Sequence, residues 1–278
     1  MHVWLAGVGV VGPGLPGWEA SRAVLAGARV YVHAPTAYAV IESLPANERR
    51  RLGVPVRLAV SAGLDAFRHA RVDPKSAATV FTSSGGDGEN VNRICESLAS
   101  VEREVSPTRF HNAVHNASAG YWSITTGAQA PSTSLCCHDA SVAAGLLEAA
   151  VQATTSGAAV ALIAYDHQYP EPLHAVRPID ADLGVALILL PECADGALAR
   201  LDVSVVRTSG RATTLGIPAL EALRTTVPAG RALPLLCAIA SGAAGTVLLD
   251  YIDAMQLRVE IMPLRSEEPV PGETPAGR

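Results

Sequence analysis

Two adjacent cysteines carry the clearest chemical signal in the sequence. Cys137 ends a short apolar segment and precedes a pattern typical of a helix, for which Asp139 is a good N-cap. Unpaired amides and the helix dipole at such a position stabilise a thiolate, as in many acyl-transfer enzymes. Cys136 should point to the opposite side of the strand, into the core. The sequence therefore predicts Cys137 as a candidate nucleophile, and the adjacent His138 is a poor general base for it.

Two His-Asn pairs form the next candidate. His111 and His115 are four residues apart, as are Asn112 and Asn116, so one helix would carry two imidazoles on one face and two carboxamides on a neighbouring face. Two histidines at this spacing can bind zinc, but Asn112 stands where the zinc-protease pattern has its glutamate, and no third ligand is evident. Hydrogen-bonded packing in the interior or at an interface is favoured, and no metal is predicted.

Two glycine-rich turns resemble phosphate-binding motifs only superficially. Residues 7–12 match G-x-G-x-x-G after a strand, but Pro13 and Pro16 block the helix that would hold a pyrophosphate. Residues 83–88 connect a strand to a helix without the lysine of a P-loop. Both are better explained as structural turns, and no cofactor is predicted.

Composition excludes several other classes. The chain has 278 residues, of which 49% are hydrophobic and 17% charged, with a formal net charge of -5. Its largest basic cluster is Arg49 to Arg51, so nucleic acid is not an expected partner. There is no apolar run of membrane-spanning length and no leader pattern after Met1. The five cysteines lack metal-site spacing, which favours reduced thiols and a cytoplasmic protein.

Strand-like and helix-like segments alternate along the chain, separated by Gly and Pro. Two uninterrupted apolar runs, 160–165 and 185–190, are typical of strands buried on both faces of a sheet. Only 4% of the residues are aromatic, so the core must consist of Ala, Val and Leu, which favours a layered α/β fold. Other strands are predicted at 3–11, 30–32, 79–82, 134–137, 201–206 and 257–261, and helices at about 18–26, 56–67, 89–100, 111–126 and 140–154 and within 217–255.

Several stretches resemble the β-ketoacyl synthases of the thiolase fold, and among them the small chain length factor subunits of aryl polyene biosynthesis. These stretches are the first strand and helix start (7–20), a linker (44–51), the segment with the two His-Asn pairs (107–124) and a segment similar to the nucleophile strand and elbow (130–145). The last of these puts Cys137 at the nucleophile position.

The resemblance implies an α/β chain with a thiolase-like layered α/β/α/β/α fold and a reduced C-terminal half. Residues 1–192 would be the ketosynthase-like N-terminal half, and residues 193–264 the reduced half packing on the same core. The Pro- and Gly-rich residues 265–278 are predicted to be a disordered tail.

One departure from the family decides the functional expectation. Ketosynthases condense with two histidines from the second half of the fold, whereas no histidine of this chain lies beyond His174. Without them the malonyl carboxylate and the thioester oxyanion lose stabilising donors. The resemblance therefore implies a non-catalytic subunit. It would form a heterodimer with a catalytic ketosynthase, work with an acyl carrier protein and shape the tunnel that holds the growing chain.

In the family, the strand before the nucleophile pairs with the partner's equivalent strand. The resemblance thus puts Ser134, Leu135 and Cys136 at an interface, with the helix that carries Tyr121 and Trp122 beside it. A full set of interface or tunnel residues would add His111, His115 and Asn116. The alternative is that both aromatic residues are simply core.

Two other functions stay open at this stage. One is a Cys-dependent acyltransferase or thioesterase in which Cys137 is acylated and His111 or His115 acts as the base. The other is a homodimeric scaffold without a substrate.

Overall fold

One mixed sheet of eight strands organises the part of the chain that the structure describes, residues 1–207 and 210–264 of a computed structural model. The strands at 132–135, 78–82 and 160–166 run parallel to one another, and every other neighbouring pair is antiparallel. In spatial order the strands are β3 (Ser132–Leu135), β2 (Ala78–Thr82), β4 (Val160–Asp166), β5 (Leu183–Leu190), β1 (His2–Val11), β6 (Ala199–Arg207), β8 (Met255–Pro263) and β7 (Gly245–Asp250).

Helices cover both faces of this sheet. They are α1 (Trp18–Leu25), α2 (Ala46–Arg51), α3 (Val54–Ala70), α4 (Gly88–Ala99), α5 (Pro107–Asn112), α6 (Ala117–Thr126), α7 (Ser141–Ser156), α8 (Leu173–Val176), α9 (Pro218–Thr226) and α10 (Leu233–Ser241). Short 3₁₀ turns lie at Pro74–Ser76, His138–Ala140 and Pro228–Ala232. No helix among the described residues has both the length and the apolar character that crossing a bilayer requires.

The two faces have separate cores. On one face, α3 and α6 pack on the sheet around Phe67 and Trp122. On the other face, α7 packs against strands from both halves of the chain and shares a core with α1, α9 and α10. The α/β class is thus confirmed, and within the described residues the C-terminal half contributes β6, β7 and β8 to the common sheet. The division of the chain at residue 192 stays a prediction, and the predicted disorder of residues 265–278 lies outside the described residues.

The G-x-G-x-x-G pattern is explained by close packing. A Cβ atom on Gly7 would lie 2.4 Å from the Ala66 carbonyl oxygen, and one on Gly9 would lie 2.1 Å from the Ala62 carbonyl oxygen. Glycine at both positions therefore lets β1 lie directly on α3. Since α1 begins only at Trp18, no helix starts at this turn.

Side chains of α3 also complete the hydrogen bonding of β1. β1 pairs with β6 only over residues 2–5, so amides further along need other acceptors. His69 Nδ1 accepts from the Val8 N–H at 3.2 Å, and Asp65 Oδ2 accepts from the Val10 N–H at 3.2 Å. Helix and strand are thus joined by polar contacts as well as by packing.

Three sequence predictions need correction, and one strand was missed. The helix expected at 111–126 is two helices, α5 and α6, and residues 30–32 form no strand. Asp139 lies inside a 3₁₀ turn instead of capping α7, because the chain makes this extra turn before Ser141. The strand β7 was not predicted, since it follows a small-residue segment that resembles the end of a helix.

Candidate functional site

The turn between β3 and α7 holds Cys137, the predicted nucleophile. His138 adopts a left-handed conformation with φ 52°, and the following 3₁₀ turn leads into α7. The Ser141 hydroxyl accepts from the Cys137 N–H at 3.1 Å and donates to the His138 carbonyl at 2.7 Å. The Cys137 backbone amide is therefore already engaged inside the turn and is not free to bind an oxyanion.

The electrostatics of Cys137 also differ from the expectation. Partial burial raises the pKa of the Cys137 thiol above its usual value, and the neighbouring Cys136 adds to this effect. The helix dipole falls off within the first turn of a helix, and here α7 begins only at Ser141, behind the 3₁₀ turn. The raised pKa opposes the stabilised thiolate expected from the sequence, and the role of Cys137 as a nucleophile stays a prediction.

Cys136 is exposed, although it was expected in the core. β3 ends at Leu135, so the alternation of a strand no longer fixes the direction of the next side chain. Its thiol donates to the Ser84 carbonyl at 3.0 Å, which joins the end of β3 to the loop after β2.

The predicted histidines do not assemble around the thiol. His111 lies exposed on α5, with its ring centroid 6.4 Å from that of Tyr121, whereas His115 and Asn116 lie exposed between α5 and α6. The break between the two helices removes the i, i+4 face that the sequence indicated. Among the described residues, no hydrogen bond joins a histidine to Cys137, and no group of three or more potential metal ligands forms.

Tyr121 and Trp122 belong to the core of this chain. The Tyr121 hydroxyl donates to Asn112 Oδ1 at 3.1 Å. Trp122 packs between Phe67 and Phe81, with ring centroids 5.4 Å and 6.3 Å away. Both side chains are buried, which agrees with the alternative that they are packing residues.

An ion-pair network that the sequence does not indicate lies at the same turn. Asp139 accepts from Arg177 at 2.8 Å and lies 3.2 Å from Arg231, which also contacts Asp250 of β7. Burial opposes ionisation of Asp139, but the hydrogen bond from Arg177 and the charge of Arg231 lower its pKa overall. The network connects the start of the α7 region to the C-terminal half, and its members are too far apart in sequence for spacing to reveal it.

A second group missed by the sequence analysis lies where β2 and β4 end. Asp166 Oδ1 accepts from the Ser84 N–H at 2.8 Å and from the Ser83 hydroxyl at 3.2 Å, and all three residues are buried. Burial raises the pKa of Asp166 to about 6. Because β2 and β4 are parallel neighbours, polar residues after both strands meet at one sheet edge, a signal that could have located this group.

The loop of residues 83–88, called the Ser-Gly loop below, does not present its amides to an anion. The Ser83 hydroxyl accepts from the Gly86 N–H at 3.0 Å, and His167 Nε2 accepts from the Gly88 N–H at 3.2 Å. These internal bonds agree with a structural connection.

The open edge of the sheet at β3 is the clearest feature for association. The Thr79 N–H donates to the Pro131 carbonyl and the Ser83 N–H to the Leu135 carbonyl. In a parallel ladder this register turns the backbone groups of Thr133 and Leu135 toward β2, and those of Ser132 and Ser134 away from it. The outward groups have no partner strand within the described part of the chain.

The helix α4, which lies between β2 and β3 along the chain, has an exposed apolar face. The buried residues of α4 are Gly88 and Asn90 alone, whereas its apolar positions fall at helical spacing on exposed or half-buried sites. Val91 is 46% and Leu98 52% exposed, and on the adjoining α5 Phe110 is 66% exposed. Unpaired strand edges and apolar patches of this kind mark interaction surfaces.

One mixed sheet with helices on both faces defines an α/β protein. A family model described as the β-ketoacyl synthase N-terminal domain matches residues 21–222, so the chain belongs to that family. No curated protein matches the chain.

Solved structures of ketosynthases have the same fold. A ketosynthase (ApeO) in complex with its chain length factor (ApeC) from Xenorhabdus doucetiae is 23% identical with a TM-score of 0.71, covering 94% of this chain and 99% of that one. A type II polyketide ketosynthase with its acyl carrier protein, AntDE:AntF, is 12% identical with a TM-score of 0.73, covering 95% and 99%. The ishigamide ketosynthase/chain length factor is 15% identical with a TM-score of 0.70, again covering 95% and 99%.

Proposed function

We propose that this chain is a non-catalytic, chain length factor type subunit that pairs with a catalytic ketosynthase in polyene or fatty-acyl biosynthesis. The observation that carries the proposal is the hydrogen bonding and electrostatics of the turn between β3 and α7, which holds Cys137. The Cys137 N–H is already bonded to Ser141, the thiol has a raised pKa, and no histidine is hydrogen-bonded to it in the described residues. Decarboxylative condensation needs an activated thiolate and oxyanion donors, and this turn offers neither.

The same observations argue against a Cys-dependent acyltransferase or thioesterase. Such an enzyme needs a base within hydrogen-bond reach of the thiol. His111 and His115 were the proposed bases, and both are exposed on or beside α5 without a bond to Cys137. We therefore do not favour this function.

Association through β3 is supported by its free backbone groups. A partner strand would complete the hydrogen bonds of Ser132 and Ser134. The same contact would cover the exposed apolar face of α4, or this face would line an acyl pocket at the interface. Ser134, Leu135 and Cys136 would then lie at the interface, with His111, His115 and Asn116 near its rim. Tyr121 and Trp122 would support the contact from the core.

The proposed partners are a catalytic ketosynthase and an acyl carrier protein. The neighbouring structures include a ketosynthase with its chain length factor and a ketosynthase with its acyl carrier protein, which supports this choice. The proposed compartment is the cytoplasm, where the five free thiols would stay reduced.

Reconstitution with a ketosynthase encoded in the same gene neighbourhood tests the proposal. We expect the two subunits to co-elute in size-exclusion chromatography, and the products made from malonyl carrier protein to change in length or rate when this chain is added. Cys137→Ala in this chain should leave the product unchanged. Separate elution together with unchanged products would overturn the proposal, and a stable acyl adduct lost in Cys137→Ala would favour the acyltransferase.

A further inference from the structure

His167, directly after β4, holds the Ser-Gly loop at its far end. Its Nε2 accepts from the buried Gly88 N–H at 3.2 Å, and the ring also donates to the backbone of Gly86. Gly88 is the first residue of α4, so one imidazole fixes both the loop and the start of this helix. The contact needs a neutral ring, because only a neutral imidazole has one nitrogen that accepts and one that donates.

Protonation would break this arrangement. An imidazolium carries a hydrogen on both nitrogens, so the Gly88 N–H would face another donor and lose its acceptor. Gly88 and His167 are both buried, so water does not readily replace the lost bond.

The surroundings of His167 include several acidic groups. The start of α4 contributes Asp87 and Glu89, the segment before β5 contributes Asp182, and Asp166 precedes His167 in sequence. Tyr169 lies against the ring, with centroids 5.7 Å apart. Burial lowers the pKa of His167, and this effect outweighs the carboxylates, which raise it.

We propose that His167 is a proton-dependent anchor of the Ser-Gly loop: the neutral ring holds Gly88, and the protonated ring releases it. Because the Cys136 thiol donates to the Ser84 carbonyl, loosening of the loop would reach the end of β3, the open edge of the sheet. The inference concerns the fold of this chain alone and does not depend on the proposed function.

Amide hydrogen exchange of the full chain tests this proposal. Between about pH 7 and about pH 4, a range that extends well below the ordinary histidine pKa of about 6.5 because burial lowers the pKa of His167, we expect the protection factor of the Gly88 amide to fall. The fall should be about tenfold relative to the Ala78 amide, which donates to the backbone carbonyl of Ala159, as expected for one lost hydrogen bond. His167→Gln has a side chain that cannot take up a proton, and it should abolish the pH dependence.

His174→Gln is the matched control, because His174 lies on α8 and its Nδ1 has no partner among the described residues. It should behave like the wild type. If His167→Gln does not fold, NMR titration of the wild type replaces it, and the His167 ring and the Gly88 amide should then share one midpoint. Unchanged Gly88 protection, a loss that persists in folded His167→Gln, or two different midpoints would each overturn the proposal.

Discussion

Ser134→Pro separates association through β3 from the folding of β3. The Ser134 amide points away from β2, whereas the amides of its neighbours Thr133 and Leu135 point toward it. Proline at residue 134 therefore removes a donor from the open edge and leaves the ladder with β2 intact. Edge strands tolerate proline where the missing N–H would face solvent, so the isolated subunit should still fold.

The expected loss of affinity follows from one hydrogen bond. Removing a donor at a buried interface leaves the partner's acceptor unsatisfied, which costs about 1–3 kcal/mol. The dissociation constant for the ketosynthase subunit should therefore rise by about 5 to 150 times. Ser134→Ala keeps the amide and removes the half-buried hydroxyl, so it should bind nearly as tightly as the wild type.

Sedimentation or interferometry with the purified ketosynthase subunit would measure the dissociation constant, and thermal unfolding monitored by circular dichroism would check the fold. Ser132→Pro tests the second outward amide, at the first residue of the strand where proline is also tolerated. Undiminished binding by both folded proline variants would refute pairing through β3.

Three further predictions concern Asp65, Cys137 and Asp166. Asp65→Ala should lower the free energy of unfolding by about 2 kcal/mol, because Asp65 Oδ2 accepts from both the Val10 and the Trp18 amides; Asp65→Asn keeps an acceptor and should lose under about 1 kcal/mol in urea denaturation. Cys137→Ala in the reconstituted complex should leave the condensation rate unchanged, and a loss of rate would contradict the non-catalytic assignment. Burial raises the pKa of Asp166 from 3.8 to about 6, so ionisation of this carboxyl destabilises the fold. The free energy of unfolding should therefore fall by up to about 3 kcal/mol between about pH 4 and about pH 7. Thermal unfolding of Asp166→Asn should show no such fall.

Strong local patterns made most of the sheet predictable. The apolar runs of β4 and β5 and the periodic face of α3 agree with the structure, because burial on both faces or on one face leaves a clear mark in the sequence. The helix predicted at 111–126 is broken because most residues from His111 to Asn116 have low helix propensity, and Asn116 is the N-cap of a new helix. A continuous pattern of apolar residues does not reveal such a break.

The chemistry of the site depended on contacts that spacing cannot reveal. Cys137 precedes a helix, as predicted, but its reactivity is set by partial burial and by Ser141, which takes its amide. Likewise, the role of Asp166 follows from the parallel pairing of β2 and β4, which brings it to Ser83 and Ser84. Sequence position predicted the place of Cys137 before a helix, but the pKa values of Cys137 and Asp166 depend on contacts that exist only in the folded chain.

The two ends of the sheet differ in a way that limits how the chain can assemble. At β7 the outer edge is partly occupied, because Thr213 donates its N–H to the Leu248 carbonyl and its hydroxyl accepts from the Leu248 N–H, both at 2.9 Å. At β3 the backbone groups of Ser132 and Ser134 are unpaired among the described residues. A chain with two open edges would add partners at both ends and form open-ended assemblies. One open and one partly occupied edge instead favours a closed pair, which is the arrangement that the proposed ketosynthase partner requires.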